Sequence, residues 1–214
     1  MRMFSALKTS TLAISFFAVV CAAVIAATQV STKEKIAANE REFQAKALYE
    51  IVPRETIDND MLSDTFEIQL AELGHKTPVT AFRARKNDLV KTVILPVVAP
   101  DGYSGNIHII VGINADESVA GVRVLAHKET PGLGDKVETK KSDWVFSFDG
   151  KSKTNDLHWA VKKDGGQFDQ FTGATITPRA VVNAVGRALD YFAANRIQLL
   201  ELAPVSAQNR EVTN

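Results

Sequence analysis

Residues 169–178 read Asp-Gln-Phe-Thr-Gly-Ala-Thr-Ile-Thr-Pro, and the spacing of small and hydroxylic side chains there is the chain's clearest chemical signal. Gly173 and Ala174 leave room for a bulky group to approach the Thr175 hydroxyl. Thr177 followed by Pro178 reads as an N-cap with proline at the first helical position, so free N–H groups and the positive end of a helix lie just beyond. A phosphate attached at Thr175 would therefore sit beside an anion site. The plainer reading is a capped helix start whose threonines only satisfy backbone donors. About forty residues upstream, Glu129-Thr130-Pro131-Gly132-Leu133-Gly134 predicts a turn fixed by Pro131 and the glycines.

Other chemistries fail on residue type or spacing. Gly132-Leu133-Gly134 lacks the third glycine of a dinucleotide fingerprint and no βαβ pattern surrounds it. Gly102-Tyr103-Ser104-Gly105 lacks the spacing of a nucleophile elbow. His75, His108, His127 and His158 show no helical ligand spacing, so no metal site is expected, and His108 and His158 read as polar-face strand residues. No independent catalytic site emerges. The 25 basic and 25 acidic side chains balance, and no Lys/Arg run exceeds a pair, which argues against nucleic-acid binding. A single cysteine cannot form an internal disulfide or a thiolate cluster, and 45% hydrophobic residues exclude a disordered chain.

The elements that must position these residues begin with an uncharged run from Thr9 to Thr32, whose core Leu12–Ala27 is apolar apart from one serine. At about 1.5 Å per residue it is long enough to span a hydrocarbon core of roughly 30 Å. Arg2 and Lys8 precede it and charges of mixed sign follow, so positive-inside bias places the N-terminus in the cytoplasm and the rest outside. A cleaved leader is the alternative, ending near Val24-Ile25-Ala26, but the run exceeds the usual h-region of about 7–15 residues. Cys21 falls in this run as an apolar filler. Lys33 to Ile51 predicts a helix closed by Pro53. Alternation predicts strands near Phe66–Leu70, Val79–Arg85 and Leu89–Val98, and then a hairpin of 107–113 and 119–126 with one half-buried face. Trp144–Phe148 and Leu157–Lys162 are further strand candidates. A helix from Thr177–Pro178 to about Asn195 carries Val181, Val185, Leu189 and Phe192 as its buried stripe. The fold expected is α+β: one N-terminal transmembrane helix, then an exported domain of antiparallel strands and packing helices. Its parts are a cytoplasmic N-terminus and span (1–32), a membrane-proximal helix and strands (33–100), a core (101–196) and a C-terminal tail (197–214).

The 169–175 stretch resembles the flavinylation motif of the covalent-FMN-binding domain family: an aspartate, two variable residues, Ser or Thr, Gly, Ala and Thr. Asp169, Thr172, Gly173, Ala174 and Thr175 keep it in full. Glu129–Gly134 resembles a second hallmark of that family, and Gly102 to Gly112 is also similar. With the N-terminal span, the chain resembles the G-subunit family of Rnf (Rsx) electron-transport complexes, related to the C subunit of the Na+-translocating NADH:quinone reductase. Proline after Thr177, where the family often has serine, is tolerable at a helix start.

The resemblance implies FMN esterified through its phosphate to Thr175 by a separate flavin transferase, making the chain a flavoprotein with a phosphothreonine-type linkage. Gly132 and Gly134 would then allow close approach to the flavin, Leu133 would cover a ring face, and Glu129 and Thr130 would complete that loop. Thr172 and Thr177 would hydrogen-bond near the phosphate, Asp169 would serve transferase recognition, and Asn183 is a weaker candidate. The implied function is one-electron relay in a membrane-bound, ion-translocating ferredoxin:NAD oxidoreductase, with other membrane subunits as partners. The location implied is the bacterial inner membrane, with the C-terminal domain on the periplasmic side. Three alternatives stay open: the quinone-reductase subunit, an unflavinylated assembly subunit, and an independent exported flavin reductase.

Overall fold

A computed structural model describes residues 2–155 and 158–201 of the 214-residue chain. Helix α1 runs from Arg2 to Ile51 without a break. From Ile14 onward it is long and apolar enough to cross a membrane, and Leu12, Phe16, Phe17 and Ile25 stand exposed along it. The fold divides at Gln44/Ala45 into two compact units, and the last turns of α1 belong to the second.

That second unit is built on a five-stranded antiparallel sheet in simple meander order. Its strands are β1 (Thr65–Ile68), β2 (Val79–Lys86), β3 (Leu89–Gly102), β4 (Gly105–Asn114) and β5 (Val119–Ala126). Successive side chains of a strand point to opposite faces, and both faces are covered near the sheet centre. Val93, Leu95, Val97 and Ala99 of β3 and Ile107, Ile109, Val111 and Ile113 of β4 form the larger core with helix α2 (Ile176–Glu201). Ile94 and Ile110 face the other way and pack with Leu48, Ile51 and Met61. Gly112 and Gly121 pair across β4 and β5. A Cβ on Gly112 would lie 2.5 Å from the Ile51 side chain, so this glycine makes room for the end of α1. The hairpin is therefore covered on two faces where sequence alternation predicted one, because α1 supplies a second apolar lid.

Strand β2 departs from simple alternation as well. Arg83 and Arg85 are both buried and share Asp64, at 3.1 and 2.5 Å. Two segments expected as strands are otherwise. Trp144–Phe148 is a 3-10 helix in which Val145 and Phe148, three residues apart, are the buried pair; side chains at that spacing eclipse in a three-residue turn. Lys162–Asp164 is likewise a 3-10 turn, adjoining a single bridge between Val161 and Phe168; Leu157 lies outside the described residues. His158 is accordingly in no strand, whereas His108 is an exposed β4 residue. In α2 the stripe Val181, Val185, Leu189 and Phe192 is buried as its period requires. The helix kinks at Asn195 and continues to Glu201, carrying Leu199 into the core. Residues 202–214 of the expected tail lie outside the described residues.

Candidate cofactor site

Three chain segments converge at the start of α2: the tight β3–β4 turn, the loop after β5, and residues 169–177. Each is shaped by a residue that can hold an unusual backbone. In the loop after β5, the Thr130 carbonyl accepts from the N–H groups of Leu133 and Gly134, at 3.1 and 3.0 Å. Pro131 and Gly132 fill the middle of this turn, and Gly132 has φ +78°, the arrangement of a Pro-Gly type II turn. In the third segment the Ala174 N–H donates to the Phe171 carbonyl at 3.1 Å. Gly173 takes φ +80° there, so the third position of this turn also favours glycine.

Helix α2 opens at Ile176, two residues ahead of the expected first helical position at Pro178, and its first intrahelical bond is the Arg179 N–H to the Thr175 carbonyl at 3.2 Å. Thr175 thus occupies the cap position. Thr177, expected as the cap, lies inside the first turn, fully buried, and its hydroxyl donates in a short bond to Oε2 of Glu129. Pro178 is accommodated because the first turn has no intrahelical acceptor for its missing N–H. The donors left at this end are the N–H groups of Ile176 and Thr177.

Glu129 is the hub of the site. Its other carboxylate oxygen accepts from the Ser104 N–H at 2.9 Å, so one buried side chain joins all three segments. Gly134 allows this close packing: a Cβ there would lie 2.9 Å from Glu129 Oε2 and 2.9 Å from Thr177 Oγ1. On the far side of the third segment, Trp144 Nε1–H donates to the Asp169 carbonyl at 2.7 Å. Its ring meets Phe171 edge-on at 5.1 Å.

These segments enclose an open cavity of about 310 Å³. Thr175, Gly173 and Ala174 form one wall, Thr130, Leu133 and Gly134 another, and Glu129 and Thr177 lie at their junction. Two residues not singled out individually from sequence, Tyr103 and Ile176, also line it. Tyr103, Ile176 and Leu133 are 69%, 46% and 44% exposed, giving the cavity an apolar rim. Among the described residues nothing hydrogen-bonds the half-buried Thr175 hydroxyl. Outside the cavity lining stand Gly132 in its turn, exposed Thr172, exposed Asn183 and Asp169, whose carboxylate pairs with Lys162 at 2.6 Å. Arg179 is held by a bidentate pair with Asp164, at 2.6 and 2.8 Å. The Arg179 guanidinium beside it keeps the Asp164 carboxyl below its ordinary range. Among the described residues no group of His, Cys, Asp and Glu could hold a metal ion.

The arrangement is that of a ligand cavity: apolar walls, a few convergent polar groups and a helix start that favours an anion. A family profile described as an FMN-binding domain matches residues 102–190, which include all three cavity-forming segments. A second, described as the RnfG N-terminal region, matches residues 1–51. Among similar proteins, one from Pseudomonas aeruginosa is 50% identical over 94% of this chain and 94% of its own length. One from Aliivibrio fischeri is 42% identical over 97% and 100%, and one from Shewanella piezotolerans 46% identical over 92% and 94%. All three carry the name of the G subunit of the ion-translocating oxidoreductase complex. The chain belongs to this G-subunit family.

Proposed function

We propose that the protein is the electron-carrying subunit of a membrane-bound ion-translocating oxidoreductase complex, and that it holds FMN by a phosphoester to Thr175. The observation that carries this reading is the position of the Thr175 hydroxyl: free of protein partners among the described residues, on the wall of an open cavity, at the first residue before a helix. The residues fit the group. The N–H groups of Ile176 and Thr177 and the positive end of α2 suit a phosphate, and Leu133, Tyr103 and Ile176 offer apolar surface to a planar ring. When bound, the FMN supplies the redox chemistry, taking up and releasing electrons singly.

The chain's own part is to attach, orient and shield. Thr175 is an attachment point and needs no base beside it, because a separate flavin transferase makes the ester. Gly173 is called for by its φ of +80° rather than by packing, since a Cβ there would meet nothing nearer than Leu133 at 3.9 Å. Asp169, exposed and paired with Lys162, serves recognition by the transferase in this reading. Glu129 spends both carboxylate oxygens on protein donors, so it fixes the walls and leaves the ligand to other groups. Arg2 and Lys8 flank the span on one side, which orients α1 with the FMN-binding domain on the periplasmic face of the inner membrane. The other subunits of the complex are its redox partners.

Thr175→Ala tests the attachment. Flavin fluorescence that survives denaturing electrophoresis should vanish, and the intact mass should lose one FMN less one water. Persistence of either signal refutes the assignment, and a wild-type chain without the mass increment supports the unflavinylated assembly role.

A further inference from the structure

We propose that His127 is a positioning residue, whose imidazole closes the base of the cavity loop and so sets where Leu133 and Gly134 stand. The inference rests on the reading of this cavity as the FMN site. The ring bridges the two ends of the 129–138 segment. On one side Nδ1 accepts from the Glu129 backbone N–H at 3.0 Å; on the other Nε2 lies 2.7 Å from Glu138 Oε1. A backbone N–H can only donate, so Nδ1 is the bare nitrogen, and the ring proton sits on Nε2, aimed at the Glu138 carboxylate. The side chain is 10% exposed, which protects both bonds from competing water.

Everything between these ends is built inward. The Thr130 carbonyl gathers the turn, the short helix Gly134–Val137 follows, and the Glu138 N–H donates to the Asp135 carbonyl at 2.9 Å. No other side chain holds Glu129 and Glu138 together among the described residues. Glu129 enters the loop already fixed by its backbone, which allows its carboxylate to reach both Ser104 and Thr177. Of the residues lining the cavity, His127 hydrogen-bonds Glu129, and it acts through that residue.

Two substitutions separate the two halves of the bridge. In His127→Asn the side-chain oxygen takes the place of Nδ1 and can still accept from the Glu129 N–H. In His127→Gln the amide reaches toward Glu138 but leaves the Glu129 N–H without its acceptor. Amide hydrogen exchange on the full-length chain in detergent should quicken across 128–134 by roughly two- to tenfold in His127→Gln, the range expected for one lost hydrogen bond. His127→Asn should remain near wild type across 128–134 and quicken only near Glu138, the end it releases. With FMN loaded, the visible circular dichroism of the flavin should change in His127→Gln and be restored in His127→Asn. Equal exchange in the two variants overturns the proposal, as does a loosened loop with unaltered flavin dichroism. A wild-type chain that carries no flavin refutes the cofactor reading instead, a result the missing visible signal reports separately from exchange.

Discussion

Thr177→Val isolates the bond that ties α2 to the loop after β5. Valine keeps the branched shape and removes only the hydroxyl, which is 1% exposed with its residue and faces a glutamate that is 5% exposed. The change leaves Glu129 Oε2 buried without its donor, while Oε1 keeps the Ser104 N–H. A hydrogen bond to a charged group contributes about 1.5–3 kcal/mol, so a loss near 2 kcal/mol is expected. For a domain of this size that lowers Tm by roughly 4–8 °C. Thr177→Ser keeps the hydroxyl and gives up one methyl group, a loss of about 0.8 kcal/mol. Glu129→Gln should also be mild, because its amide can accept from Ser104 and donate to the Thr177 oxygen. Urea unfolding of the full chain in detergent, followed by the fluorescence of Trp144 and Trp159, ranks the variants. A Thr177→Val protein within about 0.5 kcal/mol of wild type, well under the range for such a bond, would refute the clamp. So would a serine variant as damaged as the valine one.

The two loop glycines should respond differently to alanine. Gly134→Ala drives a Cβ against Glu129 and Thr177 and should cost about 1–3 kcal/mol with loss of FMN attachment, read by unfolding and by in-gel fluorescence. Gly132→Ala meets no atom within 4 Å but keeps φ +78°, so only backbone strain of about 1–2 kcal/mol is expected, with attachment largely retained. Trp144→Phe keeps ring packing and removes the donor to the Asp169 carbonyl; it should lower stability by about 1 kcal/mol and slow flavinylation in a timed transferase assay. His75 should make stability depend on pH. Burial holds its pKa below the ordinary 6.5, outweighing the Pro96 carbonyl, with nearby His108 acting in the same direction. The folded state therefore prefers the neutral ring, and stability present above pH 6.5 is lost as pH falls through that value and then through the lower folded one. Tm measured between about pH 7.5 and 5.5 should fall more steeply in the wild type than in His75→Gln.

What could be read in the sequence was what local chemistry dictates. Pro131 and Gly132 announce a turn because few residues other than glycine accept positive φ, and that turn is there. Gly173, read only as making room beside Thr175, also proves to hold a turn. The stripe on α2 and the alternation in β3 and β4 follow from helix and strand periods, and they fix the core. The apolar length of α1 marks it as able to span a membrane. Pairing between distant segments has no such signature. Glu129 and Thr177 are 48 positions apart, and nothing in either neighbourhood reveals that a glutamate draws the threonine hydroxyl away from a cap role. Arg83 and Arg85 have the spacing of solvent-facing strand residues, and they are buried because Asp64 arrives from the entry to another strand. Trp144–Phe148 misled by composition: aromatic and β-branched residues suit a strand, but burial at a spacing of three favours the 3-10 turn.

The same distinction explains why the site consists of two motifs rather than one. A threonine before a helix provides an attachment atom and two N–H donors, yet by itself it offers no wall. The wall comes from the loop after β5, and that loop can be correctly placed only if the sheet brings β5 beside the start of α2. The β3–β4 turn completes the contact, since Ser104 supplies the second donor to Glu129. With two neutral donors in place of a cation, the carboxylate's position depends on backbone geometry on both sides, and small shifts in either segment are felt at the other. Thr175 therefore inherits its surroundings from residues 41 and more positions upstream. A substitution that loosens the Glu129 hub should impair flavin placement even though Thr175 and its motif are intact.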